Sequence, residues 1–229
     1  MSNPTLNHLA LIMDGNRRWA VRQGKRHQDG HEQGVGSVKS VVSYCLRHPE
    51  IKMLTLFAYS IENMLRPQTE TAFIEQLLIN ALAHNIDELD KKGVKLRIIG
   101  DTASLKQKDR EYIEACQKQT ENNINLVLNI CYRYSGRWHI VNVINRLDKH
   151  LPVTEADVSE LMRQDLGEDP DLLIRTGGEL RLSNFLLWSM AYTELYFLDC
   201  YWPEFTNQHL DQAIEQFKKR HRRYGKNQC

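Results

Sequence analysis

The chain of 229 residues lacks a CxxC pair, and its five cysteines, Cys45, Cys116, Cys131, Cys200 and Cys229, are scattered. That spacing offers no zinc site. An odd count with no close neighbours argues for a reducing compartment rather than a disulfide framework. The first four sit among apolar neighbours and read as small buried hydrophobes. Long apolar runs are missing too: none approaches the ~20 residues needed to span a bilayer. The opening stretch MSNPTLNHLALIMDG has neither a cationic n-region nor a long h-region, so no signal peptide is expected. Cys229 is terminal and cannot begin a prenylation box. Net charge is only +1, which gives no global basic field for nucleic acid. Any grip on an anion must come from local arginines. Neither a Walker A pattern nor GxGxxG occurs, so nucleotide-binding folds lose support. There is no repeat, no low-complexity segment and no Pro-, Gly- or Ser-rich linker, so residues 1–229 read as one domain.

What is present is an alternation of short apolar runs and helical patterns. Strands are expected at His8–Met13, Lys52–Tyr59, Val94–Ile99, Asn125–Cys131, Asp171–Ile174 and Glu194–Phe197. Phe73, Ile74, Leu77, Leu78, Ala81, Leu82, Ile86 and Leu89 recur at helical spacing, and Gly93 follows as a stop. Thr154 with Asp157 resembles a capping box, and Thr206 is placed to cap a last helix running towards Arg223. The alternation predicts an α/β domain with a central, mainly parallel six-stranded sheet flanked by helices. Ligands bind such sheets beyond the carboxyl ends of the strands. Three polar motifs fall there.

The first is Asp14-Gly15-Asn16-Arg17-Arg18-Trp19. A carboxylate would end an apolar strand, Gly15 would let the backbone approach a ligand, and Asn16 and Arg18 would offer donors. A carboxylate beside a phosphate grip makes sense with Mg²⁺ between them. A plain turn with a solvated arginine pair explains the spacing as well. The second motif is RTGGELRLSN, from Arg175 to Asn184. Two glycines after a strand turn N–H groups towards an anion, and Arg175 and Arg181 flank them. Ser183-Asn184 is expected to open a helix whose N-terminus favours negative charge. Each charge-assisted bond to phosphate is worth roughly 1.5–3 kcal/mol. The alternative is a strand–turn–helix junction with surface arginines. The third motif, SIENMLRP, puts Asn63 and Arg66 within reach of the same cleft, though a capped loop would look alike. Glu194 in TELYF is a carboxylate that could join Asp14 around a metal. The basic run Lys218, Lys219, Arg220, His221, Arg222, Arg223 and Lys226 reads as a solvated helix end. It also suits lipid headgroups or substrate phosphates.

Taken together, these stretches resemble the cis-prenyltransferases over nearly the whole chain. The matching segments are MDGNRRWA, QGK, the Gly30-His31 pair, TLFAYSIEN, RP, LRIIGD, LNI, IRTGGELRLSNFLLW, AYTELYF and WPEF. The resemblance implies a sheet-and-helix fold with a deep apolar tunnel, a homodimer and Mg²⁺ as cofactor. It implies an isoprenyl transferase that condenses isopentenyl diphosphate with an allylic diphosphate, usually farnesyl diphosphate. The expected product is a cis-polyprenyl diphosphate, undecaprenyl diphosphate for the cell-wall lipid carrier. A shorter or branched prenyl diphosphate is the alternative. A non-catalytic partner subunit is the alternative of another class, and the retained Asp14, Asn63, Arg175, Arg181 and Glu194 speak against it. A cytoplasmic enzyme working at the inner membrane face, through its lipid product, is implied.

By the same resemblance Asp14 handles Mg²⁺ and diphosphate, and Glu194 is a metal-site glutamate. Gly15, Asn16, Arg17, Arg18 and Trp19 match the substrate-contacting stretch and His31 a phosphate-loop histidine, with Asp14, Arg18 and His31 on the allylic side. Asn63 matches the asparagine assigned to proton removal, with Ser60, Glu62 and Arg66 as neighbouring contacts. Arg175, Arg181 and Ser183 match the isopentenyl diphosphate grip. Arg223-Tyr224-Gly225 resembles an element that reaches across the dimer. The growing chain needs apolar shelter, at roughly 0.8 kcal/mol per buried CH₂. The stripe from Phe73 to Leu89 is a candidate wall, and Ala58 and Leu126 align with tunnel positions.

Several positions depart from the family pattern. His27 stands where a loop arginine is usual, and histidine is only partly charged near neutrality. Allylic diphosphate binding is therefore expected to weaken over roughly pH 6 to 8. Met64 replaces a common tryptophan, and Leu180 stands where some relatives place a histidine. Residues 133–139 (RYSGRWH) depart most and are expected to form a loop of altered role.

Overall fold

The computed structural model describes residues 4–148 and 150–220. The Arg223-Tyr224-Gly225 element and the basic run from His221 onward lie outside the described residues.

Six strands form one wholly parallel sheet in the order β3-β4-β2-β1-β5-β6. They are β1 His8–Ile12, β2 Met53–Ser60, β3 Val94–Ile99, β4 Leu126–Tyr134, β5 Leu172–Arg175 and β6 Glu194–Phe197. The expected strands are all there: β3 and β6 match at both ends, and the other four differ by one to three residues at one or both ends. Every residue of β1 is buried, as befits a strand covered on both faces. Its alternation splits the core. Leu9 and Leu11 pack with Val41, Val42 and Tyr44 of α2 (His27–Arg47), Leu82 and Ile86 of α3 (Gln68–Lys91) and Leu210 and Phe217 of α7 (Asn207–Lys218). Ala10 and Ile12 face the other way, towards Leu166 at the end of α6 (Glu155–Leu166) and towards Phe185. The remaining helices are α1 Asn16–Arg22, α4 Gln107–Gln119 and α5 Gly136–Arg146.

The two caps form as expected. Thr154 Oγ1 accepts the Asp157 N–H, and the Asp157 carboxylate accepts the Thr154 N–H at 2.9 Å. Thr206 opens α7, with His209 Nδ1 accepting its N–H at 3.1 Å.

Buried polar side chains cross the middle of the sheet. His8 Nδ1 donates to the Glu168 carbonyl, which can only accept. Its Nε2 therefore accepts the Thr55 O–H at 2.6 Å, and Asn129 donates to Thr55 Oγ1 at 2.9 Å. β1, β2 and β4 are thus pinned to one another by side chains as well as by their ladders.

Two expectations are corrected. Residues 133–139 are not a loop: β4 continues to Tyr134, and Ser135 caps α5. The reason is local. Arg133 adopts φ 48° and buries its guanidinium against Glu75 and Ser104 Oγ, so the strand end is fixed. Nor do Ser183 and Asn184 open a helix. Ser183, Asn184 and Leu186 all take left-handed backbone (φ 50°, 63° and 41°), which turns the chain rather than winding it.

Strand order places the crevice. From β1 the chain steps to β2 on one side, and β5 later fills the other. The carboxyl ends of β1, β2 and β5 therefore surround a topological switch point, where open α/β sheets bind ligands.

Candidate active site

A cavity of about 390 Å³ opens at that switch point, within the roughly 300–1,000 Å³ range of ligand pockets. Its floor is Asp14, two residues past β1. Arg175, the last residue of β5, donates from Nη2 to Asp14 Oδ2 at 2.8 Å. Arg18, one turn into α1, reaches Asp14 Oδ1 at 3.0 Å and donates to the Gly177 carbonyl at 2.8 Å. Thr176 Oγ1 donates to the Asp14 carbonyl at 2.7 Å. The carboxylate is thus clamped between two guanidiniums.

Glycine makes this packing sterically feasible. Gly15 has φ 107°, and a Cβ there would lie 2.7 Å from Tyr201 Cδ1. Gly177 has φ 89°, and a Cβ there would lie 2.6 Å from Arg18 Nη2. Tyr201 in turn lies under two guanidiniums, with Arg18 at 5.3 Å and Arg22 at 4.7 Å from its ring.

Twelve of the residues expected at the site line this cavity: Asp14, Gly15, Asn16, Arg17, Arg18, His31, Ser60, Asn63, Arg66, Arg175, Arg181 and Ser183. Five of them are arginines, against a single carboxylate, so the cavity selects an anion. Arg175 Nη1 donates to Ser183 Oγ at 2.8 Å, which locks the far side. Ser60 and Asn63 close a small ring: the Ser60 N–H reaches Asn63 Oδ1 at 3.2 Å, and the Asn63 N–H reaches Ser60 Oγ at 3.1 Å. Arg66 is held by Glu70 at 2.9 Å. Some polar atoms have no protein partner. Asn16 Oδ1, His31 Nε2 and Arg175 Nε are buried and have no hydrogen-bond partner among the described residues. Burial and the charge of Arg66 hold His31 below its ordinary value, so it is neutral at pH 7. His27 lies just outside, in a hollow shared with Arg17, Lys25, Arg26 and His31.

Three expected residues are elsewhere. Trp19 turns away on α1, with the Lys25 ammonium 5.0 Å from its ring. Glu62 points to Asn184, whose side-chain amide donates to it at 2.6 Å. Glu194 begins β6 in register with Leu172, whereas Asp14 lies beyond the strand ends. Level with Leu9 across the sheet, it is about 16 Å of strand away from Asp14. The two carboxylates do not meet within one chain, and Glu194 is paired with Arg220 at 2.7 Å. Sequence reasoning did not single out Tyr201 or Thr176, and it expected Asn184 to open a helix rather than to hold Glu62. Tyr201 precedes the WPEF segment, but nothing in its spacing shows that it lies under Gly15.

A second, apolar hollow lies beside the cleft. His31 and Ile74 line the cationic cleft, and Val35 and Leu78, one turn further along α2 and α3, line this hollow of about 110 Å³. Val38, Val42, Ala81, Leu82, Leu128 and Ile130 complete most of its apolar wall. Ala58 lines the cleft rather than this hollow. Leu126 lines neither; it is fully buried in the core, and Leu128 and Ile130 take the expected place.

A family model described as putative undecaprenyl diphosphate synthase matches residues 12–225. The undecaprenyl-diphosphate synthase of Coxiella burnetii, designated (2E,6E)-farnesyl-diphosphate specific, is 43% identical over 95% of each chain. A probable undecaprenyl diphosphate synthase from Campylobacter jejuni superposes with a TM-score of 0.84 at 35% identity, covering 97% of this chain and 100% of that one. Lavandulyl diphosphate synthase from Lavandula x intermedia, solved with dimethylallyl diphosphate, gives a TM-score of 0.87 at 31% identity, covering 97% and 99%. A cationic cleft beside an apolar hollow, carried on this sheet order and matched from end to end by such relatives, has one reading: the chain belongs to the undecaprenyl diphosphate synthase family of cis-prenyltransferases.

Proposed function

We propose that the protein condenses isopentenyl diphosphate with an allylic diphosphate, farnesyl diphosphate first among them, and repeats the step to make undecaprenyl diphosphate. One observation carries this reading: five arginines around one carboxylate stand one helical turn away from an apolar hollow between α2 and α3. A diphosphate with a hydrocarbon tail has that same polarity. Fold alone does not choose the product, since the lavandulyl enzyme superposes as well as the undecaprenyl one. The higher identity to farnesyl-specific undecaprenyl synthases favours the long chain over a short or branched product.

Asp14, Gly15, Asn16, Arg17, Arg18 and His31 receive the allylic diphosphate. Arg175, Arg181 and Ser183 receive the isopentenyl diphosphate. The isopentenyl double bond attacks the allylic carbon as its bond to diphosphate oxygen breaks, and a proton leaves the carbon between the resulting cationic centre and the diphosphate-bearing carbon, which forms the new cis double bond. Asn63 Oδ1 already accepts the Ser60 N–H, and an amide is a feeble base. Asn63 therefore orients the step, and an oxygen of the departing diphosphate takes the proton.

Among the described residues no cluster of three or more ligand side chains would cage a metal. Asp14 is 30% exposed at the cleft floor and fits a cation held by one carboxylate, substrate oxygens and water, which is how Mg²⁺ is usually bound. When bound, Mg²⁺ would neutralise the charge gathering on the leaving diphosphate. No described helix is long and apolar enough to cross a membrane. We place the enzyme in the cytoplasm as a homodimer, delivering its lipid at the inner membrane face.

The test is incubation with farnesyl diphosphate, radiolabelled isopentenyl diphosphate and Mg²⁺, followed by sizing of the products. A ladder ending at the undecaprenyl length is expected. No product with farnesyl, geranyl or dimethylallyl primers would remove the enzyme reading and favour a non-catalytic subunit.

A further inference from the structure

Asn184 stands where three loops converge at the carboxyl edge of the sheet. Its backbone is left-handed, φ 63°, a conformation asparagine tolerates better than most residues. Its side-chain amide donates to Glu62 Oε1 and to Ser135 Oγ, both at 2.6 Å. Its side-chain oxygen accepts the Arg137 N–H at 3.0 Å, and its main-chain carbonyl accepts the Gly136 N–H at 2.6 Å. A backbone N–H only donates and a carboxylate only accepts, so chemistry fixes which way the amide points. One residue thereby ties the turn after β2, the start of α5 after β4 and the loop after β5.

Two of those loops carry cleft residues next door. Ser183 precedes Asn184 and holds Arg175. Asn63 follows Glu62 and lines the cleft. We infer that Asn184 is a positioning residue, setting the separation between Asn63 and the Arg175–Ser183 diphosphate grip. The inference rests on the prenyl-transfer reading above. Isopentenyl diphosphate spans both groups, with its phosphates on the Arg175 side and its reacting carbons near Asn63. A small slip of either loop misaligns that one substrate. Glu62 acts through Asn184 rather than by touching substrate, since a bare carboxylate in the cleft would repel a diphosphate.

The test substitutes Asn184→Asp. The size and the acceptor for the Arg137 N–H remain, but a carboxylate now faces Glu62. KM for isopentenyl diphosphate should rise and kcat should fall, each by about 10-fold or more, the scale of a sub-ångström to ångström misplacement. The Kd for farnesyl diphosphate should stay at its wild-type value, and the thermal midpoint should fall by only about 5 °C or less. Adding Glu62→Gln rebuilds a complementary pair, because the glutamine amide donates to the new carboxylate. Both kinetic constants should then move back towards wild type. Unchanged kinetics in Asn184→Asp would overturn the inference. So would a parallel loss of farnesyl diphosphate binding and thermal stability, which marks a merely structural residue. A double variant no better than the single one would also overturn it. Wild-type protein without prenyl transfer would be a separate failure, that of the function it rests on.

Discussion

Arg175 and Asp14 form an ion pair at 2.8 Å whose two ends live in different environments: the arginine side chain is 4% exposed, the aspartate 30%. The guanidinium also donates to Ser183 Oγ and to the Arg181 carbonyl. Asp14 is therefore the wetter partner of a cation that has nowhere else to put its charge. Asp14→Ala should abolish prenyl transfer and also lower unfolding free energy by about 1–3 kcal/mol, because Arg175 is left buried without its carboxylate. Asp14→Asn keeps an acceptor and should lose activity with a smaller stability cost. Urea unfolding of the two variants checks this, and an Asp14→Ala protein as stable as wild type would show that the pair holds nothing together.

Gly15→Ala should be more damaging than a single methyl suggests. Its φ of 107° disfavours any side chain, and the added Cβ would strike Tyr201. We expect a loss of about 1–3 kcal/mol. Displacement of Tyr201 from Arg18 should also raise KM for the allylic diphosphate. Calorimetry and initial rates on the same preparation would register both, and a silent Gly15→Ala would refute the packing argument.

Diphosphate binding should draw a proton onto His31. Burial and the Arg66 charge hold its pKa below 6.5 in the free protein, and a bound dianion beside it raises the pKa. The sign follows: affinity increases as pH falls through the window below about pH 6.5. Titration calorimetry of farnesyl diphosphate in buffers of different ionisation enthalpy should reveal proton uptake, which His31→Asn should remove. Equal heats in all buffers would exclude it.

His8 should make the protein acid-sensitive. Burial lowers its pKa from 6.5 to about 4, so the unfolded state binds the proton first. Its contribution, about 3 kcal/mol, is complete above pH 6.5 and is lost as pH falls towards 4. His8→Asn cannot charge, so its stability should start lower but fall less steeply across that window. Denaturant midpoints measured at several pH values would decide.

Ala81 faces the apolar hollow of about 110 Å³ between α2 and α3. Ala81→Phe should fill it and shorten the product, leaving the first condensation near its wild-type rate. Thin-layer sizing of radiolabelled products is the measurement. A product ladder of unchanged length would mean that the chain grows elsewhere.

The strands and the long helix α3 were legible in the sequence because their signals are local. Apolar runs ended by Gly-Asp or by arginine motifs mark strand ends, and the stripe from Phe73 to Leu89 has a helical period. Residue types also announced the site: Asp14, Arg18, Arg175 and Ser183 stand at or beyond the carboxyl ends of strands, where a parallel sheet binds anions. What only the tertiary structure decided is where those side chains point and what they meet. The left-handed turn at Ser183 and Asn184 looked like a helix start, because serine and asparagine favour both. The segment 133–139 looked like a loop, because the Arg133–Glu75 and Ser104 contacts that fix it come from distant residues. Glu194 resembled a partner for Asp14 until sheet register put it at the opposite end of its strand. Composition and period are set by neighbours along the chain, whereas register and side-chain direction depend on residues over a hundred positions apart, such as Asp14 and Arg175.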